Sequence, residues 1–221
     1  MQLDNSPFLK GFFMKYSAII ALFLCIVLGL TGSTYAKETF VSIKIGPTWP
    51  QELLSSSNST AWDGELLYGV FIDRKVGFGV AADFLWNTKS QEQHDTSGFL
   101  FVTKSEESYM IPVMGFLVFD PIPNAIVHPM LRFEIGYNSL FFNSKTDSTV
   151  HPTSNSENGY YYGLIVKLGA DGLYNLGEQT AIFAGLEYQW ADTKTNANSK
   201  GLFARRDMSG IGIRMGFRFL L

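Results

Sequence analysis

Cysteine is nearly absent from this chain of 221 residues; the only one is Cys25. That excludes a disulfide framework and a cysteine-ligated zinc site. Charge is sparse too. Asp, Glu, Lys and Arg make up 17% of the residues, 17 basic against 20 acidic, for a net charge of −3. Without a basic excess, no nucleic-acid partner is expected. The three histidines, His94, His128 and His151, form no His-x-x-x-His pair, and no glycine-rich phosphate loop accompanies them. No cofactor and no metal are therefore expected. After residue 36 no apolar run reaches the length of a membrane-spanning helix.

What the chain does have is aromatic and glycine residues. Phe alone contributes 19 and Gly 21, a composition too apolar for a disordered chain. The apolar residues are concentrated first near the start. Lys10 and Lys15 precede the unbroken run Ser17–Leu30, and small residues follow, with Thr34 and Ala36 at the −3 and −1 positions before Lys37. A basic segment, a short apolar run and a small-residue exit mark residues 1–36 as a secretory signal peptide; the run is too short for a membrane anchor. Met14-Lys15 offers an alternative start for the same leader. Leu-Phe-Leu before Cys25 lacks the small residue of a lipoprotein cleavage site, so lipidation is not expected.

Residues 37–221 form one domain in which apolar and polar residues alternate with a period of two. At the end of the chain Ile211, Ile213, Met215, Phe217, Phe219 and Leu221 share one face, opposite Gly210, Gly212, Arg214, Gly216 and Arg218. Val76, Phe78, Val80, Ala82, Phe84 and Trp86 repeat the pattern against Gly77, Gly79, Ala81, Asp83 and Asn87. Eight strands are expected, at about 39–49, 62–72, 76–87, 107–119, 129–141, 159–172, 179–191 and 207–221. They exceed the usual length of soluble strands and suit a tilted bilayer crossing. The connections 73–75, 120–128 and 173–178 are short, whereas 50–61, 88–106, 142–158 and 192–206 are long and polar. Phe99–Thr103 alternates as well and prolongs the fourth strand as a protruding hairpin. Such alternating connections describe an eight-stranded antiparallel up-and-down transmembrane β-barrel with both termini in the periplasm and long loops outside.

Volume decides which face is which. The interior of an eight-stranded barrel is only just wide enough to be filled by side chains, so the bulky apolar rows must face lipid. The opposite parity carries Gly46, Gly69, Gly77, Gly79, Gly136, Gly163, Gly169, Gly185, Gly212 and Gly216, interleaved with charges. Lys44, Arg132, Lys167, Arg214 and Arg218 are matched by Glu65, Asp83, Glu134, Asp171 and Glu187, which predicts an interior charge network and no open channel. Trp62, Trp86, Tyr109, Phe141, Tyr160, Tyr188 and Trp190 lie toward the long-loop ends, as an interfacial girdle requires. Pro112 lacks the N–H that a barrel strand needs, which predicts a bulge there.

The leader, the segment Tyr109-Met-Ile-Pro-Val113 and the closing run Gly212-Ile-Arg-Met-Gly-Phe-Arg-Phe219 resemble the small outer-membrane β-barrels that include the OmpA transmembrane region, OmpX and the opacity proteins. The resemblance spans residues 38–221 and implies residence in the outer membrane after delivery by the barrel-assembly machinery. The family's roles range from adhesion to structural tethering, so fold does not fix activity. A structural or surface-interaction role through the external loops, with an unidentified extracellular ligand, is the leading expectation. A narrow pore or carrier for small hydrophobic solutes is the alternative, and a lipid A-modifying hydrolase the third. The hydrolase reading is weak because His151-Pro-Thr-Ser154 is not a strand-borne His–Ser pair, and mobile loops hold a nucleophile and its base poorly. No enzyme activity is expected. Lys200, Arg205 and Arg206 are candidate contacts to lipopolysaccharide phosphates.

Overall fold

The computed structural model describes residues 38–50, 60–94, 100–148, 155–195 and 205–221. The leader expected over residues 1–36 lies outside them. Alternating sequence yields strand throughout: β1 Glu38–Pro50, β2 Ala61–Phe71, β3 Val76–His94, β4 Leu100–Phe119, β5 Val127–Ser148, β6 Asn155–Asn175, β7 Thr180–Thr195, β8 Arg205–Asp207 and β9 Gly210–Leu220. No helix occurs among the described residues.

From β1 to β7 each strand pairs antiparallel with its sequence neighbours, and β9 closes the ring by pairing with both β7 and β1. The short β8 pairs with β7 and continues the line of β9, so β8 and β9 together form the eighth stave. A closed antiparallel barrel of eight staves results. Closure gives every strand two neighbours and removes the free edge that an open sheet would expose.

The two ends differ. At one end the strands are joined by the tight connections 72–75 and 176–179 and by the longer turn 120–126. Asp73 shapes the first of these, its carboxylate accepting from the backbone N–H groups of Lys75 and Val76 at 2.7 Å each. Turn 120–126 is tied to both neighbouring turns: Arg74 Nη1 donates to Asn124 Oδ1 at 3.3 Å, and Asn175 Nδ2 donates to the carbonyl of Ala125 at 3.2 Å.

At the other end, two segments expected as long loops are largely strand. β3 and β4 remain paired out to His94↔Leu100, and β5 and β6 out to Thr146↔Asn155. Alternation of apolar residues stops where lipid stops, but backbone pairing does not need lipid, and Ser and Thr are compatible with a strand in water. The extension of β4 through Leu100–Thr103 follows the alternation of that segment.

Pro112 does not mark a bulge. Ala82↔Val113 and Leu85↔Met110 keep one register on either side of it, and only the two intervening pairs of the β3–β4 ladder are missing. The strand tolerates the lost N–H by a short interruption without inserting a residue, so every side chain beyond Pro112 keeps its face.

Candidate functional site: the charged interior and the apolar exterior

Parity sorts the side chains of each strand. In β1, Phe40, Ser42, Lys44 and Thr48 are buried, whereas Ile43 and Ile45 are about half exposed. The same division holds for the ten expected interior charges, which are all buried: Lys44, Glu65, Asp83, Arg132, Glu134, Lys167, Asp171, Glu187, Arg214 and Arg218. An eleventh, Asp63, joins them. Its position two residues before Glu65, on the same face of β2, was the signal that would have found it.

All of these groups except Arg218 fall into two linked sets. Arg132 is the centre of the first: it pairs with Glu134, lies 2.8 Å from Asp171 and 3.8 Å from Glu65, and bonds Glu187. Lys44 holds the other side of Glu65 at 2.8 Å. The second set is built on Asp63, which pairs with Arg214 and lies 3.5 Å from Lys167, itself paired with Asp83. Glu187 joins the two: one carboxylate oxygen accepts from Lys167 and Arg214 at 3.0 Å each, while the other faces Arg132. Arg214 also donates to the carbonyl of Gly46 at 3.2 Å, where Pro47 interrupts the β1–β9 ladder.

Glycine makes room for these long side chains. Gly169 sits in register between Arg132 and Glu187, and Gly185 between Asp171 and Arg214. A Cβ on Gly169 would come within 2.9 Å of the Arg132 guanidinium, and one on Gly185 within 2.1 Å of the Asp171 carboxylate. By contrast, Gly64, Gly115 and Gly172 face outward, where a Cβ would meet nothing closer than 3.8 Å.

The carboxylates of Glu65, Glu134 and Glu187 approach within 4.8 Å of one another, a spacing that could hold a divalent ion. Arg132 contacts all three, so a guanidinium already supplies the positive charge that would draw a metal there.

Charge and glycine do not account for the whole interior. Toward the short-turn end the lumen holds Phe40, Phe71, Phe116, Val118, Met130, Leu173 and Phe183; toward the other end it holds Leu85, Met110, Leu140, Phe142, Tyr161 and Met208. The charge network is thus sandwiched between two apolar layers. β4 accounts for much of what sequence reading missed: Met110, Met114, Phe116 and Val118 face inward while Tyr109, Val113, Leu117 and Phe119 face outward, so the strand is apolar on both faces and shows no alternation.

Each apolar layer takes up one arginine through its aromatic rings. The Arg206 guanidinium lies 3.8 Å from the centre of the Phe142 ring, and Arg218 lies 4.9 Å from that of Phe40. Arg206, expected as a lipopolysaccharide contact near the outer rim, is buried, with its guanidinium against the rings of Phe142 and Tyr161. Of the other two expected lipopolysaccharide contacts, Lys200 and the side chain of Arg205 lie outside the described residues, as does the side chain of His94 and all of His151. His128 is at the short-turn end, with Nδ1 2.7 Å from Asp120. Burial pushes the Asp120 carboxyl above the usual carboxylate range, against the opposing pull of His128 and Arg218.

The outer surface is the inverse of the interior. Leu66, Phe84, Leu117, Leu131, Ile135, Leu164, Leu168, Leu186, Ile213, Met215 and Phe217 are among the exposed apolar side chains on β2 to β7 and β9, and Ile43 and Ile45 complete the belt on β1. An apolar surface encircling the whole molecule is far larger than any patch a soluble monomer exposes. On β4 it runs from Tyr109 to Phe119, about 34 Å along the strand at ~3.4 Å per residue, or about 26 Å high at a tilt near 40°. That height matches the apolar band of a membrane barrel.

Its upper rim is aromatic. Trp62 faces Trp86, Trp86 faces Tyr109, Tyr109 faces Phe141 and Phe141 faces Tyr160, one cross-strand row running from β2 to β6. Such a row places rings that are apolar at one edge and polar at the other at the level of the headgroups. A polar, filled core inside a closed, greasy cylinder has one stable environment. This chain is an eight-stranded barrel of the outer-membrane fold.

Comparison with known proteins agrees in architecture. The barrel is similar to Neisserial surface protein A (11% identity, TM-score 0.46, covering 82% of this chain and 95% of that one). It is also similar to the outer membrane protein OprG from Pseudomonas aeruginosa (15% identity, TM-score 0.48, 85% and 97%). A major outer membrane protein from Thermus thermophilus is a third (11% identity, TM-score 0.46, 83% and 99%). No protein-family model and no curated protein sequence matches the chain. At these identities the likeness concerns fold alone, and the assignment stands on the barrel's own closure and outer belt.

Proposed function

We propose that this outer-membrane barrel is a non-enzymatic surface-interaction protein that presents its long-hairpin end outside the cell and its short turns and termini to the periplasm. The observation that carries this reading is the extension of β3–β6 beyond the aromatic row. Past Trp86 no strand among the described residues pairs with β3 on its β2 side, and before Tyr161 none pairs with β6 on its β7 side. Between these edges β4 and β5 stay paired as far as Val102↔Ser148. A four-stranded sheet thus extends beyond the aromatic row, and among the described residues its two outer strands carry unpaired backbone edges able to accept an added strand. Lys200 and Arg205 are proposed to meet lipopolysaccharide phosphates. The filled lumen argues against a solute path along the barrel axis. The placement of His128 at the opposite end from the outer rim gives surface-lipid hydrolysis no support.

Loop surgery tests the proposal. Replacing residues 90–105 or 145–156 by an Asn-Gly turn retains the pairs Lys89↔Glu106 and Ser144↔Glu157 and with them the barrel's register. Cells displaying these variants should insert a heat-modifiable barrel normally and lose attachment to immobilised extracellular matrix. Unchanged attachment by both shortened barrels would overturn the reading.

A further inference from the structure

The barrel is open at the short-turn end. A cavity of about 620 Å³ enters there, beneath turn 120–126, and reaches the apolar layer of the lumen. That volume suits a small molecule. Two buried polar groups line it without the partners their chemistry calls for. Arg218 is 6% exposed, and among the described residues it is the one interior cation of the five expected that no carboxylate bridges. Its Nε reaches Ser42 Oγ only at 3.4 Å, and Nη2 donates to the sulfur of Met130. His128 is 4% exposed; Nδ1 is engaged by Asp120, while Nε2 has no hydrogen-bond partner.

We propose that this cavity binds a small organic monocarboxylate, its head held by Arg218 and His128 and its apolar body against Phe71, Leu173 and Leu220. A guanidinium fork is matched geometrically to a carboxylate, and it binds far more strongly where water is displaced. Asp120, the one buried carboxylate in the cavity wall, is bridged to His128 and lies beyond ion-pair distance of Arg218. At the mouth Glu38 and Glu178 outnumber Arg74, and this acidic rim disfavours a dianion such as phosphate. The walls supply what the head does not use: Phe71, Leu173 and Leu220 present an apolar surface that an inorganic anion cannot exploit.

The test uses the full barrel extracted into detergent micelles, titrated with benzoate and, separately, with inorganic phosphate. Imidazole NMR signals, assigned to His128 through His128→Asn, and calorimetry report binding. Benzoate should shift the His128 signal saturably, and phosphate should bind roughly tenfold more weakly or not at all. Arg218→Gln should weaken benzoate at least about tenfold. Ala181→Phe fills the cavity wall beside its register partner Arg218 while leaving every charge in place, and should weaken benzoate similarly while the barrel remains heat-modifiable, so the test survives if Arg218→Gln fails to fold. The proposal is overturned by non-saturable benzoate shifts, by phosphate binding as tightly as benzoate, or by wild-type benzoate affinity in a folded Arg218→Gln or Ala181→Phe barrel.

Discussion

Glu187 and Glu134 carry the same charge at similar depth, yet the network treats them differently. Glu187 is shared by Lys167, Arg214 and Arg132, so its loss leaves three buried cations short of a partner. Glu134 meets only Arg132, which has three other carboxylates, and Glu134 Oε2 has no hydrogen-bond partner. Breaking a buried pair from one side costs roughly 3–5 kcal/mol, whereas removing a carboxylate from an over-supplied site costs little. Glu187→Gln should therefore lower the urea midpoint of the barrel in micelles strongly, and Glu134→Gln should leave it nearly unchanged. Equal midpoints for the two variants would contradict the connectivity described above. Gly185→Val poses the complementary steric test. Its side chain would collide with the Asp171 carboxylate and with the backbone of Ala170, and refolding yield into micelles should fall sharply.

At the scale of the strand, one element changes surroundings along its length. β4 is flanked by β3 and β5 from Val102 to Phe119, first in water and then within the apolar belt. β3 beyond Trp86 has a neighbour on one side only among the described residues. Hydrogen exchange should reproduce this order: slowest for the amides of residues 113–118, intermediate for 103–107 and fastest for 88–93, because protection follows the number of paired neighbours and exclusion from water. Exchange of 103–107 as fast as that of a free peptide would show the extension to be a loop after all. The same extension shows where strand reading from sequence stops short. Alternation reports which residues face lipid, and the paired segment Ser105 to Ser108 lies beyond the apolar belt, where pairing needs no apolar face.

For the molecule as a whole, everything depends on the apolar rows facing out. Leu66 lies in the middle of the belt, and Trp62 lies in its aromatic rim on the same strand. A charge on the lipid face costs about 2–4 kcal/mol at mid-depth and about 0–1 kcal/mol near the interface. Leu66→Arg should thus destabilise the barrel in lipid vesicles by several times more than Trp62→Arg, measured by reversible denaturant unfolding. A barrel with its apolar face turned inward would show no such dependence on depth.

Parity was written in the sequence. Which side chains face out, where Gly169 and Gly185 leave space, and that Lys44 shares a lumen with Glu65 all follow from a period of two, which is a local property of each strand. The pairing of Lys167 with Asp83, 84 positions away, does not, nor does the junction of three cations at Glu187. Those depend on how far each strand is staggered against the next when the sheet closes, and stagger is a sum over all eight joints that no single strand encodes. The turning of Arg206 onto Phe142 and the hollow beneath turn 120–126 were decided in the same way, by which side chains closure brought across the barrel to meet them.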